Sequence, residues 1–170
     1  MSDWEPPTSA DIDTISRQIG RPARDVIGIG ARCVCGAPVV VVTSPRLDDG
    51  TPFPTLYYLT HPEATKEASR LEAAGKMTEY AERLLSEPEA MERYRRAHES
   101  FIHSRERIEV VDEIQGISSG GMPERVKCLH ALIAHSLAVG PGINPVGDWA
   151  YDDSAWKAEV CACGVERSQP

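Results

Sequence analysis

The sequence has no apolar run long enough to cross a membrane. It has no excess of basic side chains either. Against 18 lysines and arginines stand 26 aspartates and glutamates, a formal net charge of -8. That argues against a nucleic-acid partner, which would call for a basic footprint. The first residues, Met1-Ser2-Asp3-Trp4-Glu5, lack the basic-then-apolar pattern of a secretory signal, so the expectation is a cytoplasmic protein. No Gly-x-x-x-x-Gly-Lys-Ser/Thr string occurs, which removes support for nucleotide hydrolysis. Gly28-x-Gly30 is too short for a dinucleotide fingerprint and falls inside a strand pattern, where it predicts a bulge or close backbone packing. The five cysteines are an odd number in a chain without a secretion pattern. A disulfide framework is therefore not expected, and metal binding or thiol chemistry comes forward.

What is present fits one globular domain. The chain has 170 residues, 41% hydrophobic and 26% charged, enough for a single core. Residues 1–8 read as a loose leader, 9–148 as the domain and 149–170 as a polar tail. Ser9 is placed to cap a helix carrying Ile12, Ile15 and Ile19, which Gly20 ends. Residues 25–32 and 39–43 predict two strands about a turn at Cys33-Val34-Cys35-Gly36, and residues 55–60 a third. Helical patterns follow over residues 62–113, with Ser86-Glu87-Pro88-Glu89 as a capping box. Pro123 is expected in the first turn of a last strong helix running to Leu137. Apolar residues lie on more than one of its faces, so it should be central and buried. The fold class expected is α+β: a small three-stranded antiparallel sheet packed against four to five helices.

That meander makes a spatial prediction. Strand three runs antiparallel to strand two, so His61 should lie beside Pro38, at the same sheet end as Cys33 and Cys35. Thiolates and imidazoles are the ligands zinc prefers. A cysteine turn ending in glycine resembles half of a zinc knuckle, although one residue rather than two separates the cysteines, which makes Cys35 the weaker ligand. The last helix offers Cys128, His130 and His135. Cys128 and His135 share a face but stand about 10 Å apart by helical rise, and Cys128 and His130 should point to different sides. The expected site is Cys33, His61, Cys128 and one of His130 or His135, holding zinc. Cys35, Cys161 and Cys163 are extra ligands in reserve, and an iron–sulfur cluster is the alternative if they join. The bland alternative is buried free cysteines and hydrogen-bonded core histidines.

Two weaker constellations stand beside it. Cys128 with His130 or His135 can form a nucleophile and base. Gly120, Gly121 and Arg125, before and within the first turn of the last helix, can form an anion site. His98 reads as core, His103 and the Arg93-Arg95-Arg96 cluster as solvated.

Long strings carry a family resemblance. Arg46 through Thr60 (RLDDGTPFPTLYYLT), Gly120 through Leu132 (GGMPERVKCLHAL), Ala134 through Leu137, Arg95-x-Ala97-His98-Glu99, and Gly140-Pro141-Gly142 with Asn144-Pro145 and Gly147-Asp148 resemble an actinobacterial family catalogued as domain of unknown function 501. The resemblance spans roughly residues 12 to 148 and implies a bacterial cytosolic protein. It implies no reaction, and Cys161 and Cys163 lie outside it. Genes of that family often lie near those for a septum-formation initiator and enolase. Three functions therefore stand open. One is a metal-binding protein with a structural ion and a surface for a protein partner. Another is a metal-dependent hydrolytic enzyme with an open zinc position near an acid such as Glu124 or Asp148. The last is a metal-free interaction module associated with cell division.

Overall fold

A computed structural model describes residues 4–160 and residue 163. The order is α1 (Ser9–Ile19), β1 (Val26–Arg32), β2 (Pro38–Thr43), β3 (Tyr57–Leu59), α2 (Pro62–Ala73), α3 (Lys76–Ser86), α4 (Pro88–Glu106), α5 (Leu129–Val139) and α6 (Pro145–Asp153), with a single 3-10 turn at Asp112–Ile114. The fold is α+β as expected, with six α-helices rather than four to five among the described residues.

The strands form an antiparallel sheet in the order β1-β2-β3. Every residue of β2 is buried, which is why Val39 through Val42 need no polar alternation. Val40 and Val42 enter the main core, while Val41 meets Ile15 and Ile29 in a smaller cluster under α1. The register of β1 shifts near both glycines. A Cβ on Gly28 would stand 2.7 Å from Trp4 Cβ, and one on Gly30 would stand 3.0 Å from Val40 Cγ1. The two glycines thus serve close packing beside a bulge, as their place in a strand implied.

α5 crosses the sheet and is flanked by α2 and α6. Leu129, Leu132, Ile133, Ala134, His135 and Ser136 are all buried, as the all-round apolar pattern predicted. Gly147 of α6 lies against Leu132 O and Ser136 Oγ of α5, a contact no larger residue could make.

Several expectations need correction. Thr8, not Ser9, caps α1: its backbone is extended, and it exchanges bonds with Asp11 in a capping box. β3 is shorter than residues 55–60. Glu87 is the cap of α4 and makes no side-chain cap bond, so Ser86 opens no capping box. The last strong helix starts at Leu129 and not near Pro123. Residues 120–127 instead close a turn, with Lys127 N–H bonding Gly120 O (2.7 Å) and Arg125 N–H bonding Gly121 O (2.9 Å).

The described residues flanking the expected domain also make more contacts than composition suggested. Residues 4–8, expected as a loose leader, lie on β1: Ile29 N–H bonds Glu5 O (2.9 Å) and Arg32 pairs with Glu5 (2.8 Å). The stretch from 149, expected as a polar tail, contributes Trp149, Ala150, Trp156 and Ala158 to the core.

Candidate metal centres

Cys33 follows β1 and opens the turn to β2. Its N–H bonds Ala37 O (2.8 Å), and its carbonyl accepts from Gly36 N–H (2.8 Å). Gly36 takes a φ of 92°, the left-handed conformation that lets the chain reverse here. His61 follows β3. The pairing of Val40 with Leu59 continues through Thr60 N–H to Val39 O (2.9 Å), so His61 arrives at the turn end of the sheet. The juxtaposition of Cys33 and His61 inferred from the meander is therefore present.

The third member comes from the far end of the chain. Cys163 Sγ stands 2.8 Å from His61 Nε2 and 3.9 Å from Cys33 Sγ. Cys35, exposed in the same turn, interacts with both Cys33 and Cys163. The C-terminal segment is guided here by Val34 N–H bonding Ala158 O (2.8 Å) and by Trp156, whose ring lies 4.9 Å from that of His61. Ligand atoms on one tetrahedral zinc lie about 3.5–3.8 Å apart, from Zn–S and Zn–N lengths of about 2.3 and 2.0 Å. The sulfur–sulfur separation fits that edge, and the imidazole needs to back away by well under 1 Å.

Burial governs the protonation of this cluster. Burial pushes the thiols of Cys33 and Cys163 up, and at Cys163 the neighbouring thiols Cys35 and Cys33 add to the effect. Burial also pushes His61 below its ordinary value, so it is neutral at pH 7.

Cys128 is elsewhere. It groups with Glu72 and His130, the ligand atoms lying within 4.8 Å of one another. Glu72 sits in the last turn of α2, while His61 caps its first. Eleven residues of helix separate them by about 16 Å. One ion cannot span both, so the expected set of Cys33, His61 and Cys128 divides between two places. Cys128 is the extended N-cap of α5 (φ -151°, ψ 109°), not a helical residue. Its side chain is thus free of the helical spacing that would have pointed it away from His130. His130 Nδ1 lies 3.0 Å from Glu72 Oε1 and its Nε2 lies 3.1 Å from Ser69 Oγ. Leu129 N–H donates to the same Glu72 oxygen (2.8 Å). Cys128 and Glu72 hold His130 charged up to about 9. Burial pushes the Cys128 thiol up, but His130 and the Ala131 N–H outweigh it, and the net shift is downward.

His135 belongs to neither group. It is fully buried, stacked 5.7 Å from the Tyr57 ring and edge-on to Phe101 at 5.4 Å, with Nδ1 3.1 Å from the Asn144 amide nitrogen. Burial lowers it to about 4. It is a core histidine. His98 is half-buried and bonded to Ser118 Oγ (2.7 Å), while His103 and Arg93, Arg95 and Arg96 are exposed as read from their positions. The anion site loses its basis, because the helix N-terminus lies at Leu129. Gly120 and Gly121 hold positive φ to close the preceding turn, and a Cβ on Gly120 would strike Leu132. Cys161 lies outside the described residues.

A cleft of about 810 Å³ lies between α1, the sheet and the loop after β2. Arg21, Arg24, Asp25, Asp48 and Asp49 supply its charges. No described cysteine or histidine lines it, so the cleft is separate from both Cys/His groups.

Sequence reasoning overlooked Glu72 and Trp156. Neither has a motif, since each acts through a contact across the fold. Cys163 carried a signal, the repeat of Cys-x-Cys-Gly at 33–36 and 161–164.

The family model described as "Protein of unknown function (DUF501)" matches residues 29–152. The chain belongs to this family. The DUF501 match holds Cys33, Cys35, His61 and the whole Glu72–Cys128–His130 group, and it ends before Cys163. No curated protein and no solved structure matches the chain. No helix among the described residues is long and apolar enough to cross a membrane.

Proposed function

We propose that this is a metal-binding protein in which Cys33, Cys35, His61 and Cys163 hold one zinc ion. The ion fastens the β1–β2 turn and the start of α2 to the C-terminal segment. The reading rests on one observation above the others: Cys33, His61 and Cys163, from three distant parts of the chain, bring their ligand atoms within 4.8 Å. A fully protein-supplied Cys₃His set is the pattern of a structural zinc site, closed to substrate. In that role the ion does no chemistry, and function lies at a surface for a protein partner. Zinc is favoured over an iron–sulfur cluster because an imidazole stands among the sulfurs.

The ion has to displace one bond. Nδ1 of His61 accepts from Glu63 N–H (3.2 Å), capping α2. Coordination through Nε2 moves the ring proton to Nδ1 and breaks that cap. A cap contributes about 1 kcal/mol, against about 10–16 kcal/mol for structural zinc, so the ion wins. The reading also implies a reducing, cytoplasmic setting, because Cys33 and Cys163 are close enough to be oxidised to a disulfide.

The test is metal analysis of protein purified without chelators. Cys33→Ser and Cys163→Ser should each remove about one equivalent of zinc. A wild-type chain with less than a tenth of an equivalent of zinc or iron, even after incubation with zinc, would overturn the reading. Iron with acid-labile sulfide would replace it by a cluster.

A further inference from the structure

We propose that Glu72, Cys128 and His130 form a second metal site, independent of the first, which takes a divalent ion of the zinc class and leaves one coordination position open. The first support is the donor set. A thiolate, a carboxylate and a neutral imidazole carry two negative charges, which a divalent ion neutralises. Three protein ligands from one end of a helix pair are also the number found where zinc keeps a place for water.

The second support is the shell behind the ligands. A metal-bound histidine usually donates its other N–H to a fixed acceptor, and a ligating carboxylate is itself hydrogen-bonded. Both partners are in place. With the ion on Nδ1, the His130 proton sits on Nε2, 3.1 Å from Ser69 Oγ. Glu72 Oε1 is steadied by Leu129 N–H at 2.8 Å. His130 therefore loses no backbone bond on coordination, unlike His61, which gives up its cap. Cys128 is the extended N-cap of α5, which places its sulfur beside His130 and the Ala131 N–H and within reach of Glu72.

The third support is access. The side chains of His130 and Glu72 retain 29% and 25% exposure, and Cys128 is half-buried. A solvent molecule can reach the fourth position. An ion there would act as a Lewis acid towards water or a small anionic ligand, a role the closed Cys₃His set cannot fill.

Stoichiometry with cobalt(II) and with zinc tests this. The full chain should bind two equivalents. Cys128→Ser, Glu72→Gln and His130→Gln should each lower the count by one and leave the equivalent that Cys33→Ser removes. Cobalt at the second site should give one thiolate-to-metal absorption band that Cys128→Ser abolishes, and its visible spectrum should shift when azide is added. Serine is a good N-cap, so metal-free Cys128→Ser should unfold at or above the temperature of the metal-free parent, separating loss of the ion from loss of the fold. Retention of two equivalents by all three variants, or a parent that binds only the ion lost in Cys33→Ser, would overturn the second site. Loss of the Cys33-dependent ion alone would sink the first site and leave this one standing.

Discussion

Binding of zinc by the Cys33–Cys35–His61–Cys163 cluster should release a measurable number of protons. Burial raises Cys33 and Cys163 above the ordinary thiol value, so both carry protons at neutral pH. His61 is lowered by burial and is already neutral there. Zinc must therefore expel at least two protons from this site, while the imidazole gives up none. Affinity should then rise about 100-fold per pH unit between roughly pH 6.5 and 9, tenfold for each proton. The direction follows from the raised thiol values: as pH falls, protons compete with the ion. Stability follows affinity. With free zinc 1,000-fold above Kd, the folded state gains about 4 kcal/mol. For a chain of this size that is a rise in Tm of about 8–16 °C. Calorimetric titration with zinc in buffers of different ionisation enthalpy counts the protons, and scanning calorimetry with and without a chelator reads the Tm. The Cys128→Ser background confines both readings to this cluster. Release of fewer than one proton would refute the reasoning, as would a Tm indifferent to zinc at saturation.

Three further predictions concern the core. His135 is held at about 4 by burial, below its unfolded value near 6.5, so the stability it contributes is complete above pH 6.5 and is lost as pH falls through 4. The loss amounts to about 3 kcal/mol, and His135→Phe should flatten that part of the pH–stability curve; an unchanged slope would show that His135 is not its source. Arg105 is buried and donates to Pro54 O and Ile114 O, both at 2.8 Å. Arg105→Ala strands two carbonyls and should cost about 4 kcal/mol in urea unfolding, whereas a cost under about 1 kcal/mol would mean water replaces the guanidinium. Gly147→Ala places a methyl against Leu132 O and Ser136 Oγ and should force α5 and α6 apart, at about 3 kcal/mol; a neutral result would show that the helices shift freely.

The sequence was legible where one local rule decided the outcome. Four valines in a row became the buried central strand, and Gly36 became the turn beside Cys33. The antiparallel order of the three strands was enough to bring His61 to Cys33, because strand pairing converts sequence distance into position. Legibility failed where a long-range contact outweighed a local preference. Pro123 is a good first-turn residue, yet α5 waits until Leu129, where Glu72 of α2 takes the first amide. Residues 149–160 look polar as composition, yet Trp149 and Trp156 find apolar faces on other elements.

The cysteine count shows the same division. The sequence by itself made a disulfide framework unexpected and carries two Cys-x-Cys-Gly strings. Only tertiary structure decided their partners. Whether Cys128 faces His130 depends on its being a cap rather than a helical residue, and whether Cys163 meets Cys33 depends on Trp156 and Ala158 docking the end of the chain. α2 then sets the outcome, since its length keeps the two groups about 16 Å apart. Ligand types are written in the chain, but which ligands share an ion is a matter of distance, and distance belongs to the fold.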